Sequence, residues 1–170
     1  MKRLYLIRHA KSSWSDPGLD DYHRPLNHRG KTDGAAMARR LAAAAIKPDL
    51  IVASSATRAK KTARLMAEGT GYDKEAIRYD ESLYLGAFSY HCRLIESLLK
   101  QADVLFLVGH NNTITELAEH LSGRALGNVP TCGIVALEYA GAGGFSDAAG
   151  AGKLIHFWFP KDHGGAEKRI

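Results

Sequence analysis

The apolar residues Val104-Leu105-Phe106-Leu107-Val108 stand in an unbroken run. A strand with one wet face alternates polar and apolar side chains, whereas an unbroken run needs cover on both faces. Helices packed above and below a sheet supply that cover, so this segment predicts the interior of an α/β fold. Further buried strands are expected at 4–8, 50–53, 77–80, 134–139 and 154–159. Helices are expected between them. The stretch 31–45 is rich in the helix formers Ala, Leu, Met and Arg, and 57–68, 90–101 and 113–121 are amphipathic. Pro48 after the first helix, and Gly69 and Gly71 after the second, provide stops. Strands alternating with helices predict a parallel or mostly parallel sheet with helices on both sides.

With 170 residues the chain has the length of a single domain, 1–170, and neither an internal repeat nor a linker divides it. No apolar stretch has the length needed to cross a bilayer. The first strand starts directly after Met1-Lys2-Arg3, without the apolar length of a secretion signal, so neither membrane nor export is expected. Cys92 and Cys132 form no CxxC pair and no zinc spacing, which fits a reduced, cytoplasmic setting. A formal charge of +5 and a pI near 9.2 favour an anionic ligand. The cations are dispersed and no basic run is interleaved with aromatics, which argues against nucleic acid. The glycine-rich stretch 140–153 ends in Lys153 but leads into a strand, so it reads as a flexible connector rather than a phosphate loop. Residues 162–170 read as a polar tail.

In open α/β sheets, ligands gather at the carboxyl ends of the strands. Arg8 and His9 close the first strand. Ser54-Ser55-Ala56-Thr57-Arg58 follows the second and opens a helix, and Gly109-His110-Asn111-Asn112 closes the Val104 strand. If these strands are parallel, Arg8, His9, Arg58 and His110 meet at one edge. Arginine presents a planar fork matched to phosphate oxygens. A neutral imidazole nitrogen can attack phosphorus and hold the phosphoryl group covalently. In-line transfer then needs positioning and charge stabilisation, which the arginines, the second imidazole and the helix N-termini after Thr57 and Asn111 can supply.

Each motif alone has a plainer reading. An Arg-His pair at a strand end is commonly structural, Gly-His-Asn-Asn is a good turn and helix cap, and Ser-Ser-x-x-Arg is a capped helix start. Convergence at three strand ends is what favours chemistry. The other histidines, His23, His28, His91, His120, His156 and His163, fall into no metal-ligand pattern and read as scattered surface or interface residues. No GxSxG elbow marks a serine hydrolase.

The ordered set Arg8-His9 after LYLI, Ser54-Ser55-x-x-Arg58-Ala59-x-x-Thr62-Ala63, Glu81 and Gly109-His110-Asn111 resembles the histidine phosphatase, or phosphoglycerate mutase-like, superfamily. The resemblance covers nearly the whole chain. RHAKSSW, Arg24-Pro25-Leu26 leading to Gly30, and Trp158-Phe159-Pro160 are similar to the small SixA-type phosphohistidine phosphatases. This resemblance implies a three-layer α/β/α sandwich around a mostly parallel, mixed six-stranded sheet. It also implies phosphoryl transfer without metal or other cofactor, with His9 as nucleophile and Arg8, Arg58 and His110 holding the phosphoryl oxygens. Ala10 stands where glycine is usual, and Ala56 where proline is common; neither removes a functional group. Ser15 stands where mutase-type members have an asparagine on the phosphate, and it retains one hydrogen bond for that role. Glu81, with Asp80 as the alternative, matches the position of a carboxylic acid that protonates the leaving group. An imidazole leaving group relaxes that need.

Between Glu81 and the Val104 strand there is room for about one helix. Mutase-like relatives carry a larger helical insertion here that roofs the pocket. An open site suits a phosphoryl group displayed on a protein, and lets water resolve the phosphoenzyme. The expected substrate is therefore protein phosphohistidine, with Arg24 and Lys11 as outer contacts. The alternatives are a phosphatase for small sugar or nucleotide phosphates and a non-catalytic phosphate-binding module. Tyr84, Phe88 and Tyr90 are read as core.

Overall fold

The Val104 run lies inside the sheet, as its composition demands. In a computed structural model that describes residues 1–140 and 144–161, it forms β4 (Val104–Gly109), flanked by β1 (Lys2–Arg8) and β2 (Leu50–Ser54), both parallel to it. β3 (Arg78–Asp80) adds in parallel beyond β2, while β5 (Ile134–Tyr139) adds antiparallel beside β1 and β6 (Lys153–Trp158) antiparallel beside β5. The order across the six described strands is β3-β2-β4-β1-β5-β6. The expected tail at 162–170, with His163, lies outside the described residues.

Side-chain alternation along the strands divides the core in two. Leu4, Leu6, Leu105, Leu107, Val135 and Leu137 face α4 (Phe88–Leu99) and α5 (Thr113–Ser122), and pack against Ile95, Leu99, Ile114 and Leu117. Tyr5, Ile7, Ile51, Phe106, Val108 and Ile134 face the other way. They meet Met37 and Leu41 of α1 (His28–Ala43) and Ala63 and Met66 of α2 (Thr57–Thr70). The result is the three-layer sandwich. Each of these fully buried aliphatic side chains contributes roughly 1.5–3 kcal/mol of transfer free energy.

The elements match the expected ones to within a few residues, and the shifts have local causes. α1 starts at His28 because the Asn27 side chain accepts from Gly30 N at 2.8 Å and caps the helix. Gly71, at φ 71°, supplies the left-handed residue that ends α2 at Thr70. A four-residue α3 (Ser82–Leu85) precedes α4 and was not evident from periodicity. The glycine-rich connector joins β5 to β6. Its described part is tied to the end of α5, with Gly150 N and Gly152 N donating to His120 O and Leu121 O, both at 2.8 Å.

Candidate active site

β1, β4 and β2 are neighbours running the same way, so their carboxyl ends form one edge. Arg8 pairs with Gly109 across the β1–β4 ladder, and His9 N donates to Gly109 O at 3.0 Å just beyond it. His110 follows Gly109, and its ring centroid lies 5.2 Å from that of His9. α2 starts directly after Ala56 of the β2 turn sequence and carries Arg58, its second residue, inward; Arg58 Nε donates to His9 Nε2 at 3.3 Å. The four residues brought together by the strand-end pattern thus share one buried cluster: His9 and His110 are each 8 % exposed and Arg58 5 %, with Arg8 half-buried beside them.

The loop after His9 is clamped from two sides. Thr62 Oγ1, one turn beyond Arg58, accepts from Ala10 N at 2.9 Å and donates to Arg58 O at 2.7 Å. On the other side, Gly30 of α1 admits the Lys11 backbone; a Cβ there would sit 2.0 Å from Lys11 O. Both contacts hold the Ala10 peptide in place.

That peptide decides the tautomer of His9. Nδ1 lies 2.8 Å from Ala10 O, and a carbonyl only accepts, so the proton is on Nδ1 and the lone pair on Nε2. Burial lowers the His9 pKa to about 4; the Ala10 hydrogen bond opposes this, while Arg58, Arg8 and Arg24 add to it. His110 falls to about 3, mainly through burial, with His9 and Arg58 contributing. Both imidazoles are therefore neutral at pH 7. His110 Nε2 lies 2.7 Å from Ser54 Oγ, while its Nδ1 is buried with no hydrogen-bond partner. Arg8 Nη1 donates to Val129 O at 2.9 Å, and its Nε is likewise buried and unpartnered. The His9 Nε2 lone pair, which accepts from Arg58 Nε, thus lies in a cluster with two buried, unpartnered nitrogens, Arg8 Nε and His110 Nδ1, suited to an oxyanion.

Two residues that the motif reading did not assign complete the cluster. Asp21, in a single 3-10 turn (Asp21–His23), places Oδ2 2.9 Å from Arg58 Nη2 and 2.6 Å from the Tyr84 hydroxyl, which donates to it. Its Oδ1 accepts from Arg24 Nε and Nη2 at 3.1 and 2.9 Å. Burial pushes the Asp21 carboxyl up, but the Tyr84 hydroxyl and the Arg24 and Arg58 guanidiniums outweigh it and hold it well below the usual carboxylate range. Tyr84 also sets its ring edge-on to His110, centroids 5.4 Å apart. Phe88 and Tyr90 pack on the core as expected, but Tyr84 instead reaches the site from α3. The paired acids Asp20-Asp21 just before Arg24-Pro25-Leu26 were the only sequence signal of this partnership.

The remaining candidates are arranged differently. Arg24 is buried; besides Asp21 it donates to Ser12 Oγ and Ser13 O, and its guanidinium lies 3.5 Å from the centre of the exposed Trp14 ring. Ser15 is exposed, with its hydroxyl 2.7 Å from Ser13 Oγ. Lys11 is exposed as well. Glu81 is exposed at the N-cap position of α3, where its carbonyl accepts from Tyr84 N at 3.0 Å. Asp80 accepts from Tyr90 Oη at 2.6 Å and Ser82 N at 2.8 Å.

Two local expectations are corrected. Neither helix at the site has a side-chain cap: Ala56 and Asn112 hold the N-cap positions. Ser54 Oγ accepts from Ala56 N, and the Asn111 amide instead joins Asn128 Oδ1, at 2.7 Å, to Thr115 Oγ1, at 2.9 Å. His91 is not a surface residue but is buried, with Nδ1 2.9 Å from Ala87 O. Among the described residues no three His, Cys, Asp or Glu side chains are grouped as metal ligands.

Residues 4–84 match the histidine phosphatase superfamily (branch 1). An uncharacterized chloroplastic protein of Arabidopsis thaliana is 34 % identical over 148 residues, covering 82 % of this chain and 67 % of the relative. The crystal structure of SixA from Agrobacterium tumefaciens, a proposed phosphohistidine phosphatase, superposes with a TM-score of 0.78 at 29 % identity, over 92 % of this chain and 97 % of that one. The protein histidine phosphatase SixA complexed with tungstate gives 0.80 at 16 % identity, over 93 % and 97 % of the two chains. The fold is also shared by a mycobacterial glucosyl-3-phosphoglycerate phosphatase, with a TM-score of 0.66 at 18 % identity over 91 % and 97 %. The chain belongs to the histidine phosphatase superfamily, in its SixA-type branch, and is a phosphatase.

Proposed function

We propose that this phosphatase removes the phosphoryl group from phosphohistidine on a protein, through a covalent intermediate on His9 and without a metal ion. The observation that carries this reading is the neutral, buried His9, whose Nδ1 proton is held by Ala10 O and whose Nε2 lone pair faces the arginine cluster. In the first step Nε2 attacks phosphorus, the P–Nε2 bond forms and the bond to the leaving imidazole breaks. The positive charge that develops on the His9 ring is shared with Ala10 O through Nδ1–H. Arg8, Arg58 and His110 bind the phosphoryl oxygens and balance their charge. In the second step water attacks phosphorus, the P–Nε2 bond breaks and the lone pair returns to Nε2, with one proton of the water released.

Glu81 is the proposed proton source for the leaving group, from the exposed N-cap position of the helix that carries Tyr84. Arg24 and Ser15 are proposed as outer substrate contacts, Arg24 through the charge it shares with Asp21. A protein substrate is supported by what covers the site. The segment between β3 and β4 holds only α3 and α4, and α4 spends its apolar face on the core through Cys92, Ile95, Leu98 and Leu99. Cys92 and Cys132 are both buried and free, which supports a reducing, cytoplasmic location. No described helix is long and apolar enough to cross a membrane.

The deciding experiment compares kcat/KM on a phosphohistidine protein with that on a panel of sugar and nucleotide phosphates, with acid-labile phosphoenzyme trapped in parallel. Preference for the phosphoprotein supports the reading. A metabolite turned over orders of magnitude faster replaces it with small-molecule hydrolysis, and failure to trap phosphoenzyme with any substrate leaves a phosphate-binding module.

A further inference from the structure

A second concave surface starts one helical turn from the active site. Pro25 and Leu26, which directly follow Arg24, form its floor together with Leu65 of α2, in a cavity of about 350 Å³ between α1 and α2. The two helices lie close here because α1 has Gly34 against the Leu65 side chain, where a Cβ would come within 2.5 Å of Leu65 Cδ1. The rim is cationic: Lys31, Lys61, Arg64 and Lys74, with Glu68 as the one acid among the lining residues. Glu68 is shared with Lys74 at 3.9 Å and Arg64 with Glu75 at 3.3 Å. Lys31 and Lys61 are exposed and pair with no carboxylate among the described residues. An apolar floor edged by two exposed lysines without a carboxylate partner among the described residues, Lys31 and Lys61, matches one kind of ligand, an amphipathic segment carrying negative charge.

The groove is also aligned with the site. Lys61 is three residues beyond Arg58 on α2, a rise of about 4.5 Å, and Glu68 is about 15 Å beyond Arg58. An extended chain rises about 3.3 Å per residue, so four or five residues leaving the phosphorylated side chain would span that length. We propose that this groove docks an acidic, amphipathic segment of the phosphoprotein substrate, next to the phosphorylated residue. The proposal rests on the protein-phosphatase reading above. It adds a source of specificity that the phosphoryl-binding cluster, blind to sequence, does not have.

The test uses the intact protein and two synthetic peptides of equal length, one with alternating Glu and Leu and one with Ser and Gly in their place. Binding is measured with unphosphorylated peptides by fluorescence anisotropy, and turnover with the same peptides carrying phosphohistidine. Hydrolysis of phosphoramidate monitors the catalytic cluster alone. Wild type is expected to bind the acidic peptide at least tenfold more tightly than the neutral one. That advantage should shrink as salt rises, because exposed charges are screened. The Lys31→Glu/Lys61→Glu variant should lose the advantage in binding and in kcat/KM while hydrolysing phosphoramidate within twofold of wild type. Equal affinity for the two peptides, or an advantage that survives the double substitution, overturns the docking proposal. Tight, lysine-dependent binding without turnover of either phosphopeptide keeps the groove and overturns the protein-phosphatase reading instead. Binding of anionic lipid vesicles in preference to the acidic peptide also overturns the proposal.

Discussion

Asp21 Oδ2 lies 2.9 Å from Arg58 Nη2, so an acidic side chain of the protein holds one edge of the guanidinium assigned to the substrate. The same carboxylate bonds Arg24 on its other oxygen and accepts from Tyr84. A phosphoryl dianion entering the cluster meets both the attraction of Arg58 and the charge of Asp21, which makes Asp21 a competitor for the arginine.

Asp21→Asn should therefore tighten binding of inorganic phosphate or tungstate. The substitution keeps the size of the side chain and removes its charge, and a gain of roughly three- to tenfold in inhibition constant is expected. Competitive inhibition at fixed ionic strength reads it directly. Weaker or unchanged inhibition would mean that Asp21 and the anion use Arg58 together.

His9→Ala removes the nitrogen proposed to attack phosphorus. Phosphatase activity should drop by a factor on the order of 10⁴ or more, and the acid-labile phosphoenzyme should vanish. The circular dichroism spectrum should stay that of wild type, because His9 stands past the end of β1 and is not among the apolar residues of either half of the core.

The pH dependence follows from the imidazoles. In the proposed mechanism His9 attacks as the neutral base, and burial lowers its pKa in the fold to about 4. Activity should be level through neutral pH and decline as pH falls towards 4, unlike that of an enzyme whose nucleophile titrates near the usual 6.5. Stability moves the same way. In the unfolded chain both histidines take up protons near 6.5, while the folded pKa values are about 4 for His9 and about 3 for His110. Below pH 6.5 the unfolded state binds more protons, so their contribution to stability is lost progressively as pH falls to about 3. A His110→Gln variant should show a shallower decline of Tm over this range, and an unchanged slope would count against a buried neutral His110.

Thr62→Val tests the clamp on the catalytic loop. Valine keeps the shape but leaves Ala10 N–H and Arg58 C=O without the partners they have at 2.9 and 2.7 Å. A loss of about 1–3 kcal/mol in urea unfolding is expected for the buried N–H. Because the Ala10 peptide holds the His9 tautomer, kcat should fall more than KM rises. A stability loss with unchanged kcat would make Thr62 purely structural.

Much of the fold was legible because strand and helix have different periods, and the chain keeps them apart. The 104–108 run, the Ala-rich 31–45 stretch and the stops at Gly71 and Pro48 all mark elements that the structure contains. The meeting of His9, Arg58 and His110 was legible for a related reason: residues that end parallel neighbouring strands must share an edge. α3 escaped because four residues are too few to show a helical period. Tyr84 escaped with it, since an aromatic among Leu83, Leu85 and Phe88 looks like core.

By itself, then, the sequence determined the layers of the sheet, the edge at which chemistry collects and the residue types delivered there, because each depends on local patterns of burial. Only the tertiary structure decided which nitrogen of His9 carries the proton, that Asp21 and Tyr84 join the cluster, and that the Ser15 hydroxyl meets Ser13. Those outcomes belong to loops. A loop conformation is selected by a few bonds to residues far away in the chain — Ala10 to Thr62, Tyr84 to Asp21 — and no periodicity within a segment records which distant partner will close it.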